Sequence, residues 1–124
     1  YDLPFSVPAA FPIKTSRALR GAIAMRQWGK EAVFIREIFA AYWERSDGSI
    51  GEYEALRKIA SSLDVDPQEF EDCSESDSVR QALINSTNKA LDKGVFGVPS
   101  IIIGEELYWG KDRMEFVREH LSRL

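Results

Sequence analysis

Gly94-Val95-Phe96-Gly97-Val98-Pro99-Ser100-Ile101-Ile102-Ile103 is the stretch whose reading decides the fold of this chain. A loop bracketed by two glycines runs into Val-Pro. The β-branched run that follows favours a buried strand over Ser100–Ile103. Gly104-Glu105 allows a reversal, and Glu106–Trp109 reads as a second strand, so the two form a hairpin. Trp109-Gly110-Lys111-Asp112-Arg113 then opens a final helix, with Asp112 as its cap and Glu115 as the reciprocal partner of a capping box. Phe116, Val117 and Leu121 give that helix its inner face. Ile101, Ile102 and Ile103 in succession imply burial on both faces, as for a strand inside a larger sheet. A lone two-stranded hairpin is marginal in water. Further strands are therefore expected, from upstream polypeptide or from a second copy of the chain.

Ahead of this stretch the pattern is helical. Residues 1–13 hold Pro4, Pro8 and Pro12, which favour an extended segment, anchored by Phe5 and Phe11. Thr15 or Ser16 caps a helix that runs to about Trp28 and ends at Gly29. Lys30 to Arg45 reads as a second helix. Its Phe34, Ile35, Ile38, Phe39, Tyr42 and Trp43 make a stripe too wide for one face, which predicts burial on more than one side. Asp47-Gly48-Ser49 is a turn. Tyr53, Leu56, Ala60 and Leu63 step by three and four, giving a third helix. Asp66-Pro67 reads as cap and first residue of a short helix to about Asp72. Ser74–Ser78 reads as a loop, and a longer helix starts at Ser76 or Asp77 and stops at Gly94. The expected fold class is α/β and mostly helical.

Bulk properties bound the function. At 124 residues a single domain is the prior. With 44% hydrophobic and 29% charged residues the composition is that of an ordinary globular protein. The formal net charge of -4 gives no reason to expect nucleic acid as a partner. No apolar run approaches the roughly 20 residues that cross a bilayer, and no basic-then-apolar leader is visible at the start. A cytoplasmic protein with no membrane partner is the expectation. The only cysteine, Cys73, excludes an internal disulfide and a CxxC within these residues. It sits among Glu71, Asp72 and Glu75, acids that raise a thiol pKa and make it a poor nucleophile. His120, the only histidine, reads as a surface residue away from both motifs. No metal ligands are expected.

The two blocks, Gly94-Val95-Phe96-Gly97-Val98-Pro99 and Trp109-Gly110-Lys111-Asp112-Arg113, occur with Phe11-Pro12-Ile13-Lys14-Thr15 and Arg20-Gly21 upstream. Together they resemble the 2-hydroxychromene-2-carboxylate isomerases, relatives of kappa-class glutathione transferases and of the DsbA-like thioredoxin fold. The resemblance runs over essentially the whole chain. It implies a partial thioredoxin-like fold that retains the C-terminal ββα half. Residues 1–13 are then the tail of the first half, 14–93 a helical insertion domain, and 94–124 the ββα half. It also implies that the catalytic serine lies upstream of Tyr1, so no residue here takes that role.

What the resemblance leaves to this chain is one wall of a glutathione site. It implies a cis Val98–Pro99 bond, with the Val98 N–H and C=O facing the cysteinyl part of the ligand. An X-Pro bond gives up its trans preference for about 0.5–1 kcal/mol. It also implies that Trp109, Gly110, Lys111 and Asp112 meet the γ-glutamyl end, the Asp112 carboxylate suiting the ammonium. Lys111 and the amides at the helix start suit the carboxylate. Lys14 stands where the family pattern commonly has asparagine. It is a candidate for binding a substrate carboxylate, and equally a solvated lysine; Arg17 and Arg20 share that ambiguity, with solvation favoured. Phe34, Phe39, Tyr42 and Trp43 are candidates for lining the apolar side of the substrate, with a core role favoured.

The implied activity is a glutathione-dependent isomerisation in aromatic degradation, by a homodimer acting on an unsaturated keto acid. A thiolate adds in conjugate fashion, the former double bond rotates, and elimination restores the alkene. Two alternatives share these residues. A DsbA-like disulfide oxidoreductase needs CxxC upstream, and a non-enzymatic helical module binds a partner through its uncovered sheet edge.

Overall fold

A computed structural model describes residues 3–6, 8–9 and 13–124, apart from the Lys111 side chain. Phe11 and Pro12, and the Lys111 side-chain role expected above, lie outside the described residues. Contacts divide the chain into two compact units, residues 1–83 and 84–124.

The first unit is helical. Helix α1 (Ser16–Ala24) continues as a tighter 3-10 turn, Met25–Trp28, and Gly29 ends it in the left-handed conformation at φ 68°. Thr15 occupies the N-cap position, but its side chain makes no capping hydrogen bond. Helix α2 (Glu31–Phe39) is followed by a wider π turn, Ala40–Glu44. The single helix expected over Lys30–Arg45 is therefore interrupted. The wider turn leaves Tyr42 buried, while Trp43 meets it edge-on at 4.6 Å and stacks with Phe5 at 5.5 Å. That stack, with the Ser6 N–H to Trp43 C=O bond of 2.6 Å, ties down the proline-rich segment.

Asp47 accepts from the Ser49 N–H at 2.9 Å and opens a 3-10 turn, Gly48–Gly51. Helix α3 (Tyr53–Ser62) follows as the spacing predicted. Asp66 caps α4 (Pro67–Ser74) by accepting from the N–H groups of Gln68 and Glu69 at 3.0 and 2.9 Å. Helix α4 reaches further than its sequence implies. Ser74 is fully buried inside it, because its hydroxyl donates to the Phe70 carbonyl at 2.8 Å and so is satisfied.

Phe34, Phe70, Met25 and Leu56 form the centre of the core. The rings of Phe34 and Phe70 lie 5.4 Å apart. Gly21 on α1 faces both rings. A Cβ there would stand 2.8 Å from the Phe70 ring tip and 3.1 Å from that of Phe34. Glycine costs a helix interior about 0.5–1 kcal/mol relative to alanine. It allows α1 to close on both aromatics.

A polar network closes the same unit. The Arg20 side chain, 12% exposed, donates to Glu75 at 3.1 Å. The Tyr53 hydroxyl donates to the same Glu75 oxygen, and Arg80 pairs with the other. Arg20 is thus held within the protein instead of being solvated, whereas Arg17 stays 37% exposed, bonding the exposed Glu52 at 2.7 Å and standing over the Tyr53 ring. The Tyr53 hydrogen bond lowers the Glu75 carboxyl below its ordinary range. Partial burial opposes this, and Arg20 and Arg80 reinforce it. Burial lowers the Arg20 pKa, but its bonds to Tyr53 and Glu75 outweigh burial and raise it overall. Burial and the bond to Glu75 raise the Tyr53 phenol.

Helix α5 (Asp77–Asp92) crosses the division between the units. In the second unit, strands β1 (Ser100–Ile103) and β2 (Glu106–Trp109) pair antiparallel, and α6 (Met114–Ser122) packs on β1. The register is Ser100–Trp109, Ile101–Tyr108, Ile102–Leu107 and Ile103–Glu106. The strands match the sequence reading. The burial does not: Ile102 stays 37% exposed, because the sheet has two strands among the described residues. Helix α6 also departs from expectation. Its N-cap is Arg113, with no side-chain cap bond, and Asp112 lies in a preceding 3-10 turn, Lys111–Arg113. Only Val117 of the expected inner face is buried; Phe116 and Leu121 are exposed.

Gly21→Ala is expected to destabilise the chain in urea unfolding. Overpacking of about 1–3 kcal/mol exceeds the gain in helix propensity. Glu75 has a lower pKa folded than unfolded, so the stability it adds is present above its unfolded value and is lost as pH falls through the folded value. Urea midpoints should therefore drop on the acid side of about pH 4–5. Glu75→Gln should flatten that limb; an unchanged limb would assign the acid response to other carboxylates.

Candidate functional site

The two sequence motifs of the second unit meet in one corner. The Val98–Pro99 peptide is cis. The Gly110 N–H donates to the Pro99 carbonyl at 2.9 Å, extending the β1–β2 ladder by one pair. Gly110 holds φ at 95°, a left-handed value that costs a residue with a side chain, and a Cβ there would meet the Asp112 carboxylate at 2.5 Å. The Gly110 carbonyl accepts from the Arg113 N–H at 3.1 Å and closes the turn that carries Asp112.

Trp109 sits on the proline loop. Its ring lies 5.2 Å from that of Phe96, and its indole nitrogen lies where a Cβ on Gly97 would stand. The Ser100 hydroxyl donates to the Gly97 carbonyl and braces the loop from below. Trp109 is 47% exposed and so is not a core residue. Val98 is 87% exposed, which leaves its backbone on the surface beside the corner. Asp112 is exposed too. Of the six residues singled out here, Val98, Pro99, Trp109, Gly110 and Asp112 are brought together, and the backbone of Lys111 lies in the same turn. Phe96, Gly97 and Ser100 complete the corner. Sequence reasoning did not single them out for it, although Gly97 beside Val-Pro was visible.

Lys14 belongs to the first unit, exposed, in the segment before α1. Its neighbours Ile13 and Thr15 help to line an apolar cleft of about 400 Å³ between α1 and α2. Phe39 is 58% exposed at this cleft, whereas Phe34 and Tyr42 are buried core residues that only back it. The wide stripe on α2 thus faces a cleft on one side and the core on the other.

Other candidates fall away. The Cys73 thiol lies 3.3 Å from the Gln27 side-chain oxygen, and its pKa is raised. The cause is burial, not the neighbouring acids. His120 is partly buried and shares a hydrogen bond of 2.9 Å with the Tyr108 hydroxyl. Tyr108 points to the α6 side of the hairpin, and strand alternation puts Trp109 on the other. No group of metal-ligating residues occurs among the described residues. No helix among them is long and apolar enough to cross a membrane.

The sequence pattern of the DsbA-like thioredoxin domain matches residues 1–122. A 2-hydroxychromene-2-carboxylate isomerase of Pseudomonas sp. (strain C18) is 32% identical over 119 residues, 92% of this chain and 52% of that protein. Glutathione S-transferase kappa 1 of Caenorhabditis elegans is 21% identical over 135 residues, 99% of this chain and 60% of that protein. Among solved structures, a selenomethionine 2-hydroxychromene-2-carboxylate isomerase superposes with a TM-score of 0.81 at 25% identity. That match covers 98% of this chain and 58% of the other. The chain thus spans between half and three-fifths of the length of these relatives.

Gly97→Ala is expected to push the Trp109 indole off the loop and to cost about 1–3 kcal/mol. Tryptophan emission should shift, and the shift should vanish in a Trp109→Phe background. An unshifted spectrum would mean that the loop and Trp109 are not packed together.

Proposed function

Because the chain belongs to the family of DsbA-like thioredoxin domains, we propose that its Val98–Asp112 corner is the glutathione-binding wall of an isomerase or transferase. The hydrogen bond from Gly110 to Pro99 carries this reading, since it joins the two motifs that the resemblance assigns to the ligand. The groups present fit a peptide zwitterion. Val98 offers an exposed backbone N–H and C=O, the pair that an extended peptide takes up as an added strand. The Asp112 carboxylate answers an ammonium. The leading N–H groups of the 111–113 turn answer a carboxylate, the role that the resemblance also gives Lys111. Trp109 and Phe96 pack against each other and offer apolar surface beside the corner.

Bound glutathione would supply a thiolate for reversible conjugate addition to an unsaturated keto acid, whose former double bond is then free to rotate before elimination. The chain's own part is to hold the tripeptide at both ends and fix where its sulfur points. Fixed, preorganised donors stabilise developing negative charge better than water does. Lys14, a departure from the family pattern, is a candidate for a substrate carboxylate on its charge alone. A role in the breakdown of aromatic compounds belongs to the same proposal, which the relatives named as 2-hydroxychromene-2-carboxylate isomerases support. A cytoplasmic homodimer goes with the same reading.

Glutathione titrated into the protein should quench Trp109 with a dissociation constant of about 1 mM or below. Asp112→Ala removes a charge-assisted bond worth about 1.5–3 kcal/mol, so it should weaken binding at least about tenfold. Amide shifts at Val98 and Gly110 identify the site. A titration that moves neither amide would end this reading.

A further inference from the structure

The back of the hairpin carries polar groups that the glutathione corner does not use. Strand alternation puts Glu106 on the same face of β2 as Tyr108, the face toward α6. At the end of α6, His120 and Arg123 stand three residues apart and share one side of the helix. With Leu124, these four side chains line a cavity of about 420 Å³. Sites for small molecules run from about 300 to 1,000 Å³. Trp109 lies on the other face of the same strand.

The chemistry around this cavity is specific. The Tyr108 hydroxyl stands 2.9 Å from Nδ1 of His120 and fixes the imidazole. With Tyr108 as donor the ring proton sits on Nε2, and that nitrogen is left to donate to a ligand. Arg123 has Glu119 as its partner at 3.5 Å, and both side chains are exposed. An exposed pair of this kind contributes little to stability, so its guanidinium is free to turn to a second carboxylate. The Glu106 carboxylate makes no hydrogen bond or ion pair among the described residues. The exposed Leu124 side chain and the Tyr108 ring add apolar surface. The helix side thus offers N–H donors and a positive charge, and the strand side an unpaired negative charge. A lone anion would be opposed by Glu106 and a lone cation by Arg123. A molecule that carries both charges satisfies both sides.

We infer that this cavity is a site for an α-amino acid. Arg123 and His120 take its carboxylate, and Glu106 takes its ammonium. Its side chain lies along Leu124 and the Tyr108 ring, which favours an apolar one. The site shares no residue with the glutathione corner and faces the other way. Either can therefore fail without the other.

The test uses the full chain at fixed pH and ionic strength. His120 is the only histidine, so its ring protons report on the cavity without ambiguity. The probes are L-leucine, isocaproate, which lacks the ammonium, and isoamylamine, which lacks the carboxylate. Leucine should move the His120 ring signals along a saturating curve. The two single-charge analogues should bind at least about tenfold more weakly. Glu106→Gln should weaken leucine at least about tenfold and leave isocaproate no weaker. Arg123→Gln should weaken leucine to a similar degree and leave isoamylamine no weaker. Unchanged amide shifts at Ile101 and Val117 in both variants serve as the sign of an intact hairpin and helix. His120 signals that stay still at about 100 mM leucine, where even a site of about 10 mM affinity is mostly filled, would overturn the inference. So would isocaproate binding as tightly as leucine, which would make the cavity a plain anion site. Leucine that moves the Val98 and Gly110 amides but not His120 would overturn it as well, since the ligand would then belong to the glutathione corner.

Discussion

Close approach at positions without a Cβ is the constraint on which both units depend. In the helical unit the contact is Gly21 against the tips of Phe34 and Phe70, which lets α1 sit on the two largest buried rings. In the hairpin unit it is Gly97 against the Trp109 indole, which lets the proline loop lie on β2. At Gly21 a single added carbon would collide with two buried rings that have nowhere to go, because interiors pack at near-crystalline density, and at Gly97 it would displace the half-exposed Trp109 indole.

The polar part of the first unit follows the same logic of closure. Arg20 is nearly buried, and a buried guanidinium without a partner is costly. Glu75 supplies the charge and Tyr53 the further hydrogen bond, drawing α1, α3 and the start of α5 onto one carboxylate. The Cys73 thiol lies nearby in sequence but is raised by burial and bonded to Gln27, which leaves it outside the chemistry. Ionic work in this unit is structural. The groups proposed for glutathione are in the other unit: Val98, the carboxylate of Asp112, and amides at the head of a turn.

That corner explains how two motifs about ten residues apart act together. Neither Val-Pro nor Trp-Gly-Lys-Asp is informative alone. One backbone hydrogen bond, Gly110 to Pro99, makes them adjacent, and it exists because a two-residue reversal at Gly104-Glu105 sets the register of the strands between them. The relatives then give the corner a chemical context, with isomerases of 2-hydroxychromene-2-carboxylate and a kappa glutathione transferase sharing the fold.

Local chemistry determined what the sequence could determine. The helix starts at Ser16 and Pro67, the stop at Gly29, both strands and the turn between them follow from residues within a few positions of one another. Tertiary contacts decided the rest. The Arg20–Tyr53–Glu75 network depends on partners brought in by folding, up to 55 residues apart, and Ser74 lies fully buried although its own hydrogen bond, to Phe70, is local. Asp112 shows the limit most plainly. Its spacing to Glu115 is that of a capping box, yet Gly110 turns the chain so that a 3-10 turn intervenes and Arg113 takes the cap position. A capping pattern reports which residues can satisfy free amides. Whether they do depends on the direction from which the chain enters the helix, and here that direction is set by the bond to Pro99.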